Sequence, residues 1–342
     1  MKLEIERIEK GIAVQYADAT LSLASRGSEI LISRDAGIQW HHLLTLPGGT
    51  KLGRTATDIV ERLTRGGVRL IKHIEGDTFL CLFNGSFFRF NTQTSDSQRL
   101  WTLARGRRIL RNGVCVVGST ILVGDYWTNG RREDVRVHTI DLATGAATRF
   151  LTIPTPTVRH VHLVQTDPFS DRIWIGTGDE DHECLLLRVD PSNPRLQTVG
   201  GGSQRWRSIT LVFTEDAVYW GSDNHTGSNA IFKYGRAART VDVIGPVIGP
   251  VYYAVKRGGN TVFGTTVEKG EGDQDGWGRL YVLDGNETIT EVFKAQKDLW
   301  PIRLFGYAIH EFADGPEETD TFWVIMRGFR GGLRSMLCRI ID

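Results

Sequence analysis

A chain of 342 residues, 40% hydrophobic and 24% charged, is long enough to bury a large core and has ordinary globular composition. Its 41 basic and 40 acidic residues balance, leaving no net field to draw it to nucleic acid or to an anionic membrane. No apolar run reaches the length of a membrane span, and the opening MKLEIERIEK lacks the apolar core of a secretory leader. The expectation is a cytoplasmic protein, or a secreted or periplasmic one if a leader has been trimmed. Cys81, Cys115, Cys184 and Cys338 each sit inside an apolar run with no C-x-x-C spacing, which predicts buried free thiols.

Helical periodicity is nearly absent; the best segment, TATDIVERL from Thr55 to Leu63, reads as one short helix or an irregular insertion between Thr50 and Arg65. What recurs is a pair of short apolar strands followed by a hairpin with Asp, Asn or Gly at its tip. In chain order the pairs begin IAVQYA/TLSLAS, GVRLIKHI/TFLCLF, GVCVVG/TILVGD, HVHLVQT/RIWIGTG, RSITLVF/AVYWGSD and PVYYAVK/TVFGTTVE. A seventh set, LFGYAIHEF, TFWVIMRG and SMLCRII, lacks its own fourth strand, and the N-terminal Leu3–Glu9 can supply it. Repeats of roughly 40–50 residues built this way predict an all-β protein, a single β-propeller domain over residues 1–342. Seven four-stranded blades fit best, with six or eight as the alternatives.

Ser33-Arg34-Asp35-Ala36-Gly37-Ile38-Gln39-Trp40 fills every fixed position of S-x-D-x-G-x-x-W, in a hairpin between a third and a fourth strand. This segment resembles the Asp-box of the BNR-repeat, sialidase-like propellers. Physically it is a turn: Asp35 can accept from backbone N–H groups, Gly37 permits a positive φ, and Trp40 covers the result. A single copy speaks to fold more than to activity.

In an up-and-down blade the inner strand begins, and the second strand ends, on one rim. Blades three to seven load that rim with Asp125, Tyr126, His160, His162, Asp179, Glu180, Asp181, Gln204, Arg207, Asp223, His225, Tyr252, Tyr253, Glu268 and Arg327. The hairpin 158–183 is the richest, its two strands joined by the tight Asp167-Pro168-Phe169-Ser170-Asp171 turn. His160 and His162, at i and i+2, point to one side of a strand. With a carboxylate such as Asp179 or Asp181 converging on them they could ligate a divalent metal, here read as His160, His162 and Asp181. Equally they could supply a general base, or simply pack.

This residue set on a seven-bladed frame resembles propeller polysaccharide lyases such as the oligogalacturonate and ulvan lyases. The resemblance implies β-elimination across an acidic sugar: Arg207 or a metal neutralising the substrate carboxylate, His160 or His162 as base, Tyr252 or Tyr253 as proton donor, with Asp179 and Asp223 beside them. Gln204, Asp125, Tyr126, Tyr253, His225, Glu268 and Arg327 would then bind substrate. One alternative is a sialidase-like glycoside hydrolase using paired carboxylates, although the chain has no R-I-P motif. Another is a propeller that binds a glycan or a protein without turnover. The expected partner is an acidic glycan, with neither nucleic acid nor membrane involved.

Overall fold

The structure is a computed structural model and describes residues 1–49, 54–64 and 66–341. Among these, strands spanning 13–45, 68–102, 114–153, 160–201 and 212–247 form five four-stranded antiparallel sheets, each in simple chain order. An eight-stranded sheet holds the rest. It resolves into a set spanning 251–296 and a set spanning 308–341 with Lys2–Lys10 added, joined where Thr266 faces Ile309 and Val267 faces Ala308. The strands thus make seven sets of four. They form two compact units, residues 100–252 and residues 1–99 with 253–342.

In the unit 100–252 the middle sheet, 160–201, is apolar on both faces because both are covered. Ile173 and Ile175 turn one way, into a core with Val135, Val137 and Leu151 of the preceding sheet. Trp174 turns the other way, into a core with Phe213, Trp220, Phe232 and Tyr234 of the next. The alternation obeys the two-residue period of a strand. It breaks at one place: Val161 and Val164 share the first core while Leu163 joins the second. A register shift between Val161 and Leu163 is the cause, and His162 is the residue it sets apart.

In the other unit, Lys2–Lys10 runs antiparallel to Arg334–Ile341, from Lys2 opposite Ile341 to Lys10 opposite Arg334. The segment Ser33–Trp40 forms a tight turn in which Asp35 Oδ1 accepts from the Ser33 hydroxyl (2.7 Å) and from the backbone N–H of Gln39 (2.9 Å). Gly37, at φ +83°, lies under Trp323 so closely that a Cβ would stand 2.7 Å from the indole. Arg54–Thr64 is an α-helix, while residues 50–53 and 65 of the insertion lie outside the described residues. Glu61 ties the helix down, accepting from Gly27 N at 2.7 Å and pairing with Arg327 at 3.2 Å; Arg62 meets Asp298 at 2.5 Å. All four cysteines are free and buried.

Candidate metal and substrate site

Three second strands of the unit 100–252 end on glycine, at Gly124, Gly178 and Gly221; Asp125 and Asp179 follow the first two directly, and Asp223 follows the third after Ser222. At Gly178 the missing side chain matters: a Cβ would stand 2.7 Å from His162 Cε1. The glycine lets the imidazole lie against the strand end where Asp179 begins.

The bulge turns His160 and His162 toward one another rather than side by side. Their Nε2 atoms are 2.9 Å apart, and Asp179 Oδ1 lies 3.3 Å from each. His160 Nδ1–H donates to the Trp127 carbonyl at 2.8 Å, so the neutral ring presents the Nε2 lone pair to this point. His162 Nδ1 has no hydrogen-bond partner among the described residues. Burial pushes the His162 pKa from 6.5 down to about 4, helped by the His160 and Arg207 charges against the pull of Asp179. Burial alone would raise the Asp179 pKa, but the two imidazoles beside it hold it well below the usual carboxylate range. At neutral pH the His162 imidazole is therefore neutral and Asp179 is ionised.

That donor set suits a borderline divalent metal. Its size fits as well, since ligand bonds of about 2.0–2.2 Å at tetrahedral or octahedral angles put donor atoms about 3 Å apart. His160, His162 and Asp179 could hold a metal ion. The carboxylate that converges is Asp179; Asp181, the residue expected from the sequence, instead accepts from Gln204 Nε2 at 2.9 Å.

Asp179 is held from behind. Its Oδ2 accepts from Arg159 at 2.9 Å, and its backbone N–H donates to Glu183 Oε2 at 3.0 Å. Glu183, fully buried, also accepts from the Glu180 N–H at 3.3 Å and pairs with Arg132. Neither Glu183 nor Arg159 stands out by residue type. The readable signal was the E-x-x-E spacing of Glu180 and Glu183, which closes a capping box on the turn 181–183.

Arg207 borders the cluster and is itself buried. Its guanidinium lies 3.3 Å from Asp179 Oδ1 and 3.0 Å from Asp223 Oδ2, and donates to His225 Nδ1 at 3.1 Å. Accepting at Nδ1 leaves a neutral His225 with its proton on Nε2. Tyr126 lies over His160 with ring centroids 4.1 Å apart. Beside it Arg107 covers Trp127, 3.3 Å from the ring centroid, at the edge of a cavity of about 430 Å³ lined by Arg107, Asp125 and Arg136.

One unit therefore gathers His160, His162, Asp179, Arg207, Asp223, His225 and Tyr126, with Gln204 and Asp181 on the adjoining turn and Asp125 facing His138 at 3.3 Å. Tyr252 is largely buried in the strand Val251–Arg257. Tyr253, Glu268 and Arg327 belong to the other unit. There the Glu268 carboxylate accepts from the Thr266 hydroxyl at 3.2 Å, and Arg327 is enclosed by Glu61 and Glu311.

No family model and no curated protein sequence matches the chain. Solved structures do. An oligogalacturonate lyase from Vibrio parahaemolyticus matches with a TM-score of 0.63 at 12% identity, over 100% of this chain and 98% of its own. The fold is a β-propeller. An oligogalacturonate lyase solved in complex with manganese matches this propeller with a TM-score of 0.63 at 10% identity, over 100% and 97% of the two chains. A chain of a mitotic checkpoint complex matches with a TM-score of 0.60 at 11% identity, over 99% and 95%. At such identities the likeness is one of propeller fold.

Proposed function

We propose that this propeller is a metal-dependent lyase that cleaves an acidic oligo- or polysaccharide by β-elimination, with His160, His162 and Asp179 holding the metal. The observation that carries the reading is the convergence of two imidazole Nε2 atoms and one carboxylate oxygen, 2.9 and 3.3 Å apart, beside a buried arginine. The two oligogalacturonate lyases of the same fold, one of them solved with manganese, support it.

When bound, the metal supplies a Lewis acid for the substrate carboxylate. Arg207 adds a fixed positive charge beside it and braces Asp179. With His160 and His162 engaged as ligands, proton abstraction falls to Tyr126, the hydroxyl-bearing ring packed against His160. His225, its proton held on Nε2 by Arg207, donates a hydrogen bond toward the leaving oxygen. Trp127 under Arg107 offers a cationic ring edge for a neighbouring sugar. The turn at Asp35 supports a relation to the BNR-repeat propellers as part of the same reading. Hydrolysis by paired carboxylates fits less well, because Asp179 is driven toward its ionised form and Asp223 is ion-paired to Arg207. A propeller that only binds a glycan or a protein is the second reading, since the same fold occurs in a mitotic checkpoint complex.

The test is incubation with polygalacturonate and other uronate polymers, following ultraviolet absorbance of unsaturated uronate together with new reducing ends. Absorbance should rise, stop with chelator and return with manganese. Alanine at His162 should slow it on the order of 100-fold, the few kcal/mol that a metal contributes. Reducing ends without absorbance would move the assignment to a hydrolase, and binding without either signal to a recognition propeller.

A further inference from the structure

The turn Asp167–Asp171 joins the same hairpin at the end away from His160, and it is built with unusual rigidity for a surface joint. Asp167 is 1% exposed and accepts from Phe169 N at 3.1 Å, from the Ser170 hydroxyl at 2.6 Å and from both terminal nitrogens of Arg236 at 2.5 and 2.9 Å. A carboxylate so fully bonded fixes the backbone of its turn. Phe169 is therefore held out at the tip, 49% exposed, with the Arg236 guanidinium 5.7 Å from its ring centroid.

Beside this tip lies a cavity of about 270 Å³, lined by Phe169, Arg172, Trp174, Arg188, Tyr234 and Arg236. Trp174 stands opposite Arg188, and Arg188 opposite Gln197, so the three side chains form one row on one face of the sheet. Two of the three arginines are neutralised, Arg236 by Asp167 and Arg172 by Asp190. Arg188 has no carboxylate partner among the described residues; its Nε donates only to the Gln197 amide oxygen, at 3.2 Å. Trp174 is 1% exposed, and its indole N–H has no acceptor among the described residues.

A guanidinium without an anion and a buried N–H without an acceptor lack the same thing, a negatively charged oxygen. The exposed Phe169 ring and Tyr234 add flat apolar surface on which a ring can rest. We propose that this cleft binds a carboxylate carried on a ring-shaped body, the shared chemistry of a uronic acid and an aromatic acid. The site is separate from the His160 cluster and stands on its own observations.

Calorimetric titration with two probes, galacturonate and benzoate, tests it and tells the two sources apart. Saturable binding of one probe per chain by either arm supports the assignment. Arg188→Gln should weaken it about tenfold or more, the loss of one charge-assisted hydrogen bond. Phe169→Ala, which touches only an exposed turn tip, should weaken it as well and serves if the first variant melts early. In an Asp179→Asn variant, which disables the rim, binding of the probe should persist, and its loss there would move the ligand to the rim and overturn the assignment. Absence of saturable binding by both probes, undiminished binding by Arg188→Gln, or equal affinity for inorganic phosphate would each overturn it.

Discussion

Asp179 is the residue on which the candidate site turns, and Glu183 fixes where Asp179 stands. The Glu183 carboxylate takes the Asp179 N–H with one oxygen and pairs with Arg132 through the other. Glu183→Gln keeps the size but gives up the charge that draws Arg132 and the two N–H groups together. Metal affinity, measured by titration with manganese or zinc, should fall about 10–100-fold, the usual effect of losing a group that supports a ligand. The circular dichroism spectrum should be unchanged, which separates positioning from folding. At this scale the sequence was half legible. The His160 and His162 pair and the carboxylates downstream could be read from type and spacing. That Asp179 rather than Asp181 meets the imidazoles could not, because it depends on a bulge at His162 and a turn closed by Glu183. The bulge is a property of pairing register, which residue types do not encode locally.

Among elements, the helix Arg54–Thr64 shows the same division. Its existence follows from TATDIVERL, whose apolar positions Ala56, Ile59, Val60 and Leu63 fall on one helical face. Its partners do not, since Arg327 and Asp298 lie far away in the chain. Arg327, which the sequence offered as a substrate contact, is buried, and its guanidinium is shared by Glu61 at 3.2 Å and Glu311 at 3.7 Å. Glu61→Ala would leave that guanidinium enclosed with one distant partner. Breaking a buried pair from one side costs about 3–5 kcal/mol, so the variant should melt markedly earlier in calorimetry. Replacing both Glu61 and Arg327 with leucine and methionine should recover much of the loss. Recovery of nothing would mean that the helix is held by other contacts.

For the molecule as a whole, recurrent strand pairs and hairpins sufficed for an all-β propeller, because the two-residue period and turn chemistry repeat with every blade. The His310 environment adds an acid limit that no local pattern reveals. Burial lowers its pKa from 6.5 to about 4, although its Nδ1–H donates to the Thr265 carbonyl at 3.0 Å. The folded protein keeps His310 neutral down to about 4, whereas the unfolded chain takes up the proton near 6.5. Acid therefore favours unfolding across that window, and stability is regained above it. Between about pH 7.5 and pH 5 this one group should remove about 2 kcal/mol, read by urea unfolding at the two pH values. An asparagine at 310 should be less stable at neutral pH but should lose the part of the slope that belongs to the histidine.

The pairing of Lys2–Lys10 with Arg334–Ile341 also sets an order of events during synthesis. A ribosome makes the first of these strands long before the second, so this edge stays open until Arg334–Ile341 has been made. The unit 100–252 is continuous in sequence and has been made in full before Arg334–Ile341 appears. Through that wait Lys2–Lys10 is an unpaired strand among nascent chains, the state most exposed to pairing with the wrong neighbour. Its sequence, KLEIERIEK, places a charge beside every apolar residue. Those charges, some of them paired in the finished sheet as Glu6 is with Arg339, guard the strand while it waits for its partner.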